Sequence, residues 1–286
     1  MAITDGLIWR PLGAGDIDGA VALNAEAGWN QIAADWRFML AVGAGTGIVD
    51  DRLIATSMLL PQGERFAWIA MILVTAARQR QGLASELMHR CIARANDMGV
   101  IAGLDATAAG RQVYLPLGFR DIYPLTRWQA DAPVDALVVG APENGVRPLR
   151  ADDLERVAEW DAKISGAPRR NLLAHLLGRC PERAFILEDG ADVRGFVLAR
   201  DGRLATQIGP LSAEDDDAAI ALLRASLGAG SGSVFLDAGD HHGPLAEVLA
   251  DAGFQEQRGY MRMLLGRDDP IDDPNRVFLI AGPELG

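Results

Sequence analysis

The apolar and polar positions between residues 68 and 95 predict a strand, a loop and a helix, in that order. The run from Trp68 to Val74 is apolar throughout, is too short to cross a membrane, and is typical of a strand buried on both faces. After a loop, apolar residues return at three- and four-residue intervals with charged residues opposite, which predicts an amphipathic helix. This apolar stripe consists of Leu83, Leu87, Met88, Cys91, Ile92 and Ala95.

Shorter patterns complete the first 130 residues. Turn signals at 50–51 and 61–64 separate short apolar runs, and connections of this length join antiparallel neighbours. Asp16 is the expected N-cap of the first helix, and a glycine-rich segment leads into the second strand. The patterns predict strands at 9–12, 48–49, 53–60, 100–106 and 119–128, and helices at 16–26, 31–41 and 110–117.

The loop at residues 78–84 has the chemistry of an anion-binding site. A helix N-terminus presents free N–H groups and the positive end of the helix dipole. Gly82 and Ala84 keep side chains away from an approaching group, and Arg78 and Arg80 add positive charge. Phosphate is the expected guest. The spacing fits neither the P-loop nor the dinucleotide-binding pattern, so we do not expect a nucleoside triphosphate or a dinucleotide.

Two segments resemble the signatures of one enzyme family. Gln79-x-x-Gly82-x-Ala84 resembles the Q/R-x-x-G-x-G/A signature of GNAT N-acetyltransferases, and Tyr114-Leu115-Pro116-Leu117-Gly118-Phe119 resembles their Y-x-x-x-G-F segment. The resemblance covers roughly residues 9–128. It implies an α/β (α+β) fold with a mixed, mostly antiparallel sheet flanked by helices, and acetyl-CoA as the co-substrate.

The resemblance also implies which residues contact acetyl-CoA. In similar proteins the pantetheine arm pairs with the strand that leads into the loop, and the loop holds the pyrophosphate. Thr107 stands where the family commonly has an asparagine, and its hydroxyl is a further expected contact. The expected cofactor contacts are Ile72, Leu73, Val74, Gln79, Arg80, Gln81, Gly82, Leu83, Ala84, Ser85 and Thr107.

Tyr114 is the expected general acid, because a phenol stays protonated at neutral pH and can donate a proton to the departing thiolate. Its alternative role is packing beside Gly118-Phe119. Two routes for removing the proton of the amine stay open, a water relay and Asp105. Because Asp237 repeats Asp105 in the second half of the chain, we favour the water relay.

The segment between the first two helices lines the acceptor pocket in similar proteins, and the same role is expected here. Trp29 would form a wall, and Glu26 would hold a cationic amine. Asn30 is the third expected acceptor contact. The alternative is that Asn30 caps a helix while Trp29 packs inward.

The sequence after residue 145 repeats the order of the first half. Arg147-Pro148-Leu149 with Asp153-Leu154 repeats Arg10-Pro11-Leu12 with Asp16-Ile17 at the same separation, Leu236-Asp237-Ala238 repeats Leu104-Asp105-Ala106, and Gly253-Phe254 repeats Gly118-Phe119. We infer an internal duplication. The predicted divisions are a catalytic domain at 1–130, a linker at 131–145 that includes an extended segment at 137–139, and a second domain at 146–286.

The second copy has lost the chemistry of the loop. Four carboxylates, Glu214 to Asp217, stand opposite the phosphate loop and would repel pyrophosphate. They are typical of the first turn of a helix, here one that runs to about residue 227. Leu249 replaces Tyr114 and has no proton to donate. The second domain is therefore expected to be GNAT-like without its own acetyl-CoA site.

Composition narrows the partners and the compartment. The chain has 286 residues, 49% of them hydrophobic, and a net charge of −12. This charge disfavours nucleic acid, which needs clustered Lys and Arg. Without a membrane-length apolar run or a signal region, we expect a soluble cytoplasmic protein and no membrane partner. The sequence leaves the oligomeric state open, with a homodimer as one option.

The two cysteines and one histidine pair have structural explanations. Cys91 and Cys180 fall in predicted apolar helix stretches, and we expect buried free thiols. Adjacent histidines such as His241 and His242 cannot easily face one ion, so we expect a solvated loop there and no metal site.

These patterns predict an acetyl-CoA-dependent N-acetyltransferase. It would move an acetyl group to a primary amine, of a small molecule or an exposed protein site, by direct attack in a ternary complex. The alternative is a non-catalytic acyl-CoA-binding or regulatory module. The presence of Tyr114 favours the enzyme.

Overall fold

The computed structural model describes residues 6–131 and 145–286, and they fall into two compact units. The first unit runs to Leu104 and includes residues 202–204 and Leu285. The second unit contains residues 105–201, 205–284 and 286. The compact units therefore divide the chain after Leu104, whereas the sequence repeat suggested a division near residue 130. The extended segment expected at 137–139 lies outside the described residues.

The first unit is a sheet in the order β1-β2-β3-β4-β5, with three helices. Neighbouring strands are antiparallel except β4 and β5, which are parallel. The last three residues of β5 belong to the second unit. The elements are β1 (Ile8–Pro11), α1 (Ile17–Glu26), α2 (Ala33–Val42), β2 (Ala44–Val49), β3 (Leu53–Gln62), β4 (Phe66–Val74), α3 (Leu83–Asp97) and β5 (Ile101–Thr107).

The second unit has a longer sheet in the order β12-β6-β11-β13-β10-β9-β8-β7. Its elements are α4 (Ala108–Tyr114), β6 (Phe119–Ala130), β7 (Val146–Pro148), α5 (Leu154–Ser165), α6 (Arg170–Leu177), β8 (Phe185–Asp189), β9 (Asp192–Arg200), β10 (Thr206–Ala213), α7 (Asp216–Gly228), β11 (Val234–Gly239), α8 (Gly243–Asp251), β12 (Gln255–Leu265) and β13 (Val277–Leu279). None of the helices in the described residues is long and apolar enough to cross a bilayer.

The predicted helices and strands of the first 130 residues are present in the structure, with differences in their bounds. The glycine-rich segment before residue 48 is part of β2. A Cβ on Gly45 would lie 2.5 Å from Sδ of Met58 and 2.8 Å from Cδ1 of Leu12, so glycine is required there by close packing. Both cysteines are buried free thiols, as predicted. Cys180 lies after α6 rather than within it.

The duplication is visible in matching hydrogen bonds at the start of each repeat. In the first unit Arg10 donates to both carboxylate oxygens of Asp16, at 2.8 and 2.6 Å, and to the carbonyl of Pro11. In the second unit Arg147 donates to both oxygens of Asp153, at 2.7 Å each, and to the carbonyl of Pro148. The repeated Arg-Pro and Asp therefore build one local structure twice.

The last strand of the first repeat pairs with strands of the second repeat. β6 is antiparallel to β11 from Ala130↔Val234 to Leu125↔Gly239, and on its other edge it is antiparallel to β12. This exchange explains why the second unit begins before the predicted linker. Because pairing partners are far apart in the chain, no local pattern indicated it.

Two buried ion pairs hold this exchange in register. Arg127 of β6 donates to both oxygens of Asp237 of β11, at 2.7 Å each. Arg262 of β12 donates to both oxygens of Asp105, at 3.0 Å each. The two aspartates are repeat-related positions, and each binds an arginine from the other repeat, from β6 in one case and from β12 in the other. All four side chains are at most 8% exposed. Removing one partner of either pair would leave a buried charge without its counter-ion, at a large cost in folding free energy.

We predict that Arg127→Met lowers the free energy of unfolding by ~3–5 kcal/mol, because it leaves the Asp237 carboxylate buried without a cation. Urea denaturation measures the change. Arg120→Met is the matched control on the same strand, since Arg120 and Asp268 form an exposed pair that solvent screens, and its loss should change stability little. The double variant Arg127→Met/Asp237→Leu should recover much of the loss. Equal losses for Arg127→Met and Arg120→Met would contradict the assignment.

Candidate active site

The turn from β4 into α3 places a helix N-terminus at the surface. β4 is buried almost throughout, and Leu83 and Leu87 anchor α3 in an apolar cluster with Ile48 and Ile54. Gly82 occupies the N-cap with φ +79°, and no side chain caps the helix. Residues 79–82 and Ala84 are exposed. A helix start without a side-chain cap, on an exposed turn, leaves its first N–H groups available to an anion.

Two arginines in this turn have different surroundings. Arg78 forms an ion pair with Asp50 of the β2–β3 turn, so its charge is already partly neutralised. Arg80 is exposed and has φ +59°, a left-handed conformation that is unfavourable for a side chain other than glycine. Within the described residues no ion pair involves Arg80. Arg80 is therefore the cation best placed to add to the helix N-terminus.

β4 extends beyond its pairing with β5. The parallel ladder contains Phe66↔Ile101, Ala67↔Ala102 and Trp68↔Gly103, and in the described residues it stops there. On its other edge β4 stays paired with β3 as far as Val74, through an irregularity at Met71, which has φ +54°. Thr56 donates its hydroxyl to the Met71 carbonyl at 2.9 Å and so stabilises the irregularity. The edge of β4 before the turn can accept an extended ligand in the manner of an added strand.

The expected cofactor residues of the first unit lie together on this edge and turn. Ile72 and Val74 are half-buried and Leu73 is buried at the end of β4. Gln79 donates its side-chain amide to the Val74 carbonyl at 3.3 Å, which joins the turn to the strand. Gln81 is exposed, and Ser85 is half-buried in the first turn of α3. Their contacts with a cofactor stay a prediction.

Glu26 binds the turn after β4. Its carboxylate accepts hydrogen bonds from the Ala76 N–H at 2.5 Å and from the Thr75 hydroxyl at 2.9 Å. These bonds, with the Ala76 N–H first, lower the pKa of Glu26. Sequence reasoning missed Thr75, although a threonine just before a tight turn is a recognisable signal for capping. Binding of an acceptor amine by Glu26 stays a prediction.

Asn30 holds a distant segment of the chain. Its Oδ1 accepts from the Leu204 N–H at 2.8 Å and its carbonyl accepts from the Arg203 N–H at 2.8 Å. The Trp29 carbonyl accepts from Nε of Arg203 at 2.9 Å. The N-cap of α2 is Ile32, so the alternative prediction that Asn30 caps this helix is wrong. The half-buried Trp29 and the buried Asn30 keep their predicted acceptor roles as proposals only.

The other two expected functional residues belong to the second unit. Thr107 is the N-cap of α4, and its hydroxyl oxygen accepts from the Gly110 N–H at 3.2 Å. Tyr114 ends α4 half-buried, and its ring centroid lies 6.1 Å from that of Phe119. A Cβ on Gly110 would approach Cε2 of Tyr114 to 3.0 Å. Glycine at this position therefore gives the phenol ring room.

Asp105 is occupied by a structural contact. Both of its oxygens accept from Arg262, and the carboxylate is completely shielded from solvent. Burial raises the pKa of Asp105, while Arg262 acts in the opposite direction. Arg262 also donates to Asp272 at 2.7 Å and to the Tyr123 hydroxyl at 3.0 Å. Because both oxygens of Asp105 already accept hydrogen bonds from Arg262, we favour the water relay over Asp105 as the route for the amine proton.

The histidine pair differs in part from its prediction. His241 is exposed, and its Nε2 lies 2.7 Å from the Pro274 carbonyl. His242 is buried, stacks on Phe278 with ring centroids 3.9 Å apart, and places Nε2 3.0 Å from the Val277 carbonyl. The expectation of a solvated loop is therefore wrong for His242. In the part of the chain that the structure describes, no three His, Cys, Asp or Glu side chains form a group suited to a metal ion.

The second repeat closes the equivalent helix start with its own side chain. Asp215 is the N-cap of α7 and accepts from the Ala218 N–H at 2.9 Å. Asp216 and Asp217 occupy the first turn, as the sequence predicted. Leu249, the counterpart of Tyr114, is fully buried. The two repeats thus differ at the helix start, which is uncapped in the first and capped in the second.

Comparisons with known proteins agree with this fold. A model of the GNAT acetyltransferase family matches residues 23–119, and a model of a GNAT acetyltransferase domain matches residues 157–279. One match lies in each repeat, and together they span more than half of the chain. The chain belongs to the GNAT superfamily of acyltransferases and has two GNAT domains in tandem.

Individual relatives cover most of the chain. A holothin acyltransferase from a Pseudoalteromonas species is 26% identical over 243 residues, which cover 84% of this chain and 80% of the relative. A crystal structure of a proposed acetyltransferase from Pyrococcus horikoshii matches with a TM-score of 0.81 at 21% identity, over 98% of this chain and 96% of that one. A tandem GNAT protein from the clavulanic acid biosynthesis pathway matches with a TM-score of 0.62 at 15% identity, over 90% and 98%. The two structural matches support the fold.

We predict that Glu26→Gln destabilises the first unit in a pH-dependent way. Because the folded-state pKa of Glu26 lies below its ordinary value of 4.5, the carboxylate stabilises the fold above that value. This contribution is lost as the pH falls through the lowered pKa. Urea denaturation of both proteins between neutral and acidic pH should show a difference that shrinks in acid. Thr75→Val should reduce the effect of Glu26→Gln without abolishing it, and a difference that grows in acid would contradict this role.

Proposed function

We propose that the protein is an acetyl-CoA-dependent N-acetyltransferase that acts on a primary amine by direct attack in a ternary complex. The observation that carries the proposal is the uncapped N-terminus of α3, which follows a β4 edge that extends past its ladder with β5. An extended arm with a diphosphate at one end matches both features. Acetyl-CoA has this form, and the GNAT family supplies the reaction class.

The first requirement of acetyl transfer is a held thioester. Backbone groups at the end of β4 would pair with the amides of the pantetheine arm, and N–H groups at the start of α3 would bind the diphosphate with Arg80. A backbone N–H on β4 would polarise the acetyl carbonyl. Since these contacts fix position rather than supply a nucleophile, the rate would depend mainly on the placement of the amine against the thioester.

Proton transfer completes the proposed reaction. The neutral amine attacks the acetyl carbonyl, the C–S bond breaks, and Tyr114 donates its phenolic proton to the departing sulfur. The proton of the amine leaves through water, because the Asp105 oxygens are bound to Arg262. We propose a small-molecule amine as the acceptor. In support, the relative that is 26% identical to this chain is a holothin acyltransferase. Glu26, Trp29 and Asn30 are the proposed acceptor contacts.

We predict that Gly82→Glu lowers the affinity for coenzyme A about 100-fold, because a carboxylate at the N-cap repels the diphosphate and occupies its position. Isothermal titration calorimetry measures the dissociation constant. Gly82→Ala is the control, since it imposes the same unfavourable φ of +79° with little bulk and no charge. It should lower stability by ~1–2 kcal/mol and change affinity much less than Gly82→Glu does. Unchanged affinity in Gly82→Glu would remove the diphosphate from this turn.

We predict that Tyr114→Phe lowers kcat ~10²–10⁴-fold and changes the dissociation constant of acetyl-CoA little, because it removes only the proton donor. The ring and its packing on Phe119 remain. Release of CoA with a panel of primary amines measures turnover. Tyr260→Phe, a substitution of the same kind in β12, is the control and should leave kcat nearly unchanged. Binding of acetyl-CoA without CoA release on any amine in the wild type would indicate the non-catalytic acyl-CoA-binding module instead.

A further inference from the structure

The second repeat contains a parallel strand pair with a ladder as short as that of β4 and β5. β10 and β11 are parallel at Thr206↔Val234, Gln207↔Phe235 and Ile208↔Leu236, and their direct ladder ends there. The ladder between β4 and β5 in the first unit is likewise parallel and has three residue pairs. In repeat order β10 corresponds to β4 and β11 corresponds to β5. We call the space between β10 and β11 beyond Ile208 and Leu236 the second groove.

The second groove is filled by β13, the strand at 277–279. Leu279 is in register with Leu211 of β10 on one side and with Ala238 of β11 on the other. The Ile280 N–H donates to the Asp237 carbonyl at 3.0 Å, and the Ala213 N–H donates to the Arg276 carbonyl at 3.0 Å. β13 therefore takes up backbone hydrogen bonds from both strands where they diverge.

Side chains on both faces of β13 are buried. Phe278 and Leu279 belong to the apolar cluster that includes Leu222 of α7 and Leu249 of α8. Val277 and Ile280 belong to a second cluster, with Tyr123, Leu125 and Tyr260. None of the four residues from 277 to 280 is more than 6% exposed. The strand is thus part of the core.

The backbone of β10 is shaped for this occupant. Gly209 has φ +143°, and a Cβ added there would lie 2.1 Å from the Ile280 carbonyl oxygen. Only glycine allows the two backbones to approach so closely. The requirement for glycine beside Ile280 is an observation independent of the hydrogen-bond register. It too indicates that β10 is shaped to pack against β13.

We infer that β13 is the permanent, intramolecular occupant of the second groove and stands where a pantetheine arm would pair, so that the chain takes one acyl-CoA and takes it in the first unit. The comparison with pantetheine rests on the proposed function. A covalently attached strand is present at a high effective concentration, and a ligand would have to expel a buried strand to compete. The acidic start of α7, capped by Asp215, also opposes a diphosphate at that position.

Binding stoichiometry tests the inference on the full chain. Native mass spectrometry and calorimetry with coenzyme A should give one ligand per wild-type chain and, at concentrations near the wild-type dissociation constant, almost none in Gly82→Glu. Two ligands per wild-type chain, or one ligand retained at wild-type affinity in Gly82→Glu, would overturn the inference and leave acyl-CoA binding by the protein intact. No ligand in the wild type would instead overturn the proposed function, and the occupancy of the second groove would then be decided by hydrogen exchange.

Hydrogen exchange followed by mass spectrometry locates the ligand and the strand. In the free protein, amides of residues 277–280 should exchange slowly, and rapid exchange there would overturn the inference. Coenzyme A should protect residues 69–86 and leave residues 206–218 and 277–280 unchanged. Protection of 206–218 by the ligand would place it in the second groove and would also overturn the inference.

A matched pair of glycine variants tests the fit of β13. Gly209→Ala should accelerate exchange at 277–280 more than tenfold, because its Cβ collides with the Ile280 carbonyl. Gly253→Ala is the control, since Gly253 also has a positive φ, of +83°, but a Cβ there meets nothing within 4 Å. It should leave exchange at 277–280 unchanged. Equal exchange in the two variants would contradict the close fit, and the wild-type measurements decide the matter if Gly209→Ala does not fold.

Discussion

Two buried arginine–aspartate pairs constrain the second unit of this protein. Asp237 binds Arg127, Asp105 binds Arg262, and both aspartates are almost completely shielded from solvent. A buried carboxylate without its cation is costly. A shift of β6 by one residue would turn the Arg127 side chain to the other face of the sheet. The pairs therefore restrict β6 and β12 to one register, and each pair links one of these two strands to the other repeat.

The need to pair these buried carboxylates gives Asp105 a structural role instead of a catalytic one. Asp105 would be an obvious base from its sequence position, yet its oxygens are bound to Arg262. Asp237, its counterpart in the other repeat, is bound in the same way. An aspartate that is repeated in both copies and paired in both serves the fold. The proposed reaction then depends on a positioned thioester, a tyrosine and water, which is consistent with catalysis mainly by positioning.

The two repeats share a plan and differ where a cofactor would bind. Both start with an arginine that donates to an aspartate six residues later. At the start of the helix after the central strand, the first repeat has exposed Gly82 without a side-chain cap, and the second has Asp215 as its own cap. Beyond the parallel ladder the second repeat has β13 between its strands. In the second repeat, Asp215 and β13 thus form hydrogen bonds with the backbone groups at the helix start and along the two strands. In the first repeat, a ligand could bind the equivalent backbone groups.

The sequence alone predicted the helices and strands of the first 130 residues, the tight turn between β4 and α3, and the duplication, because periodicity and motif chemistry involve residues that are neighbours in the chain. It also indicated the acidic first turn of α7. Only the tertiary structure decided that β6 pairs with β11 and β12, that Glu26 binds Thr75, and that β13 fills the second groove. The partners Asp105 and Arg262 are 157 positions apart. Pairings over such distances are selected by packing, register and charge burial in the whole fold, and no local pattern in the sequence carries that information.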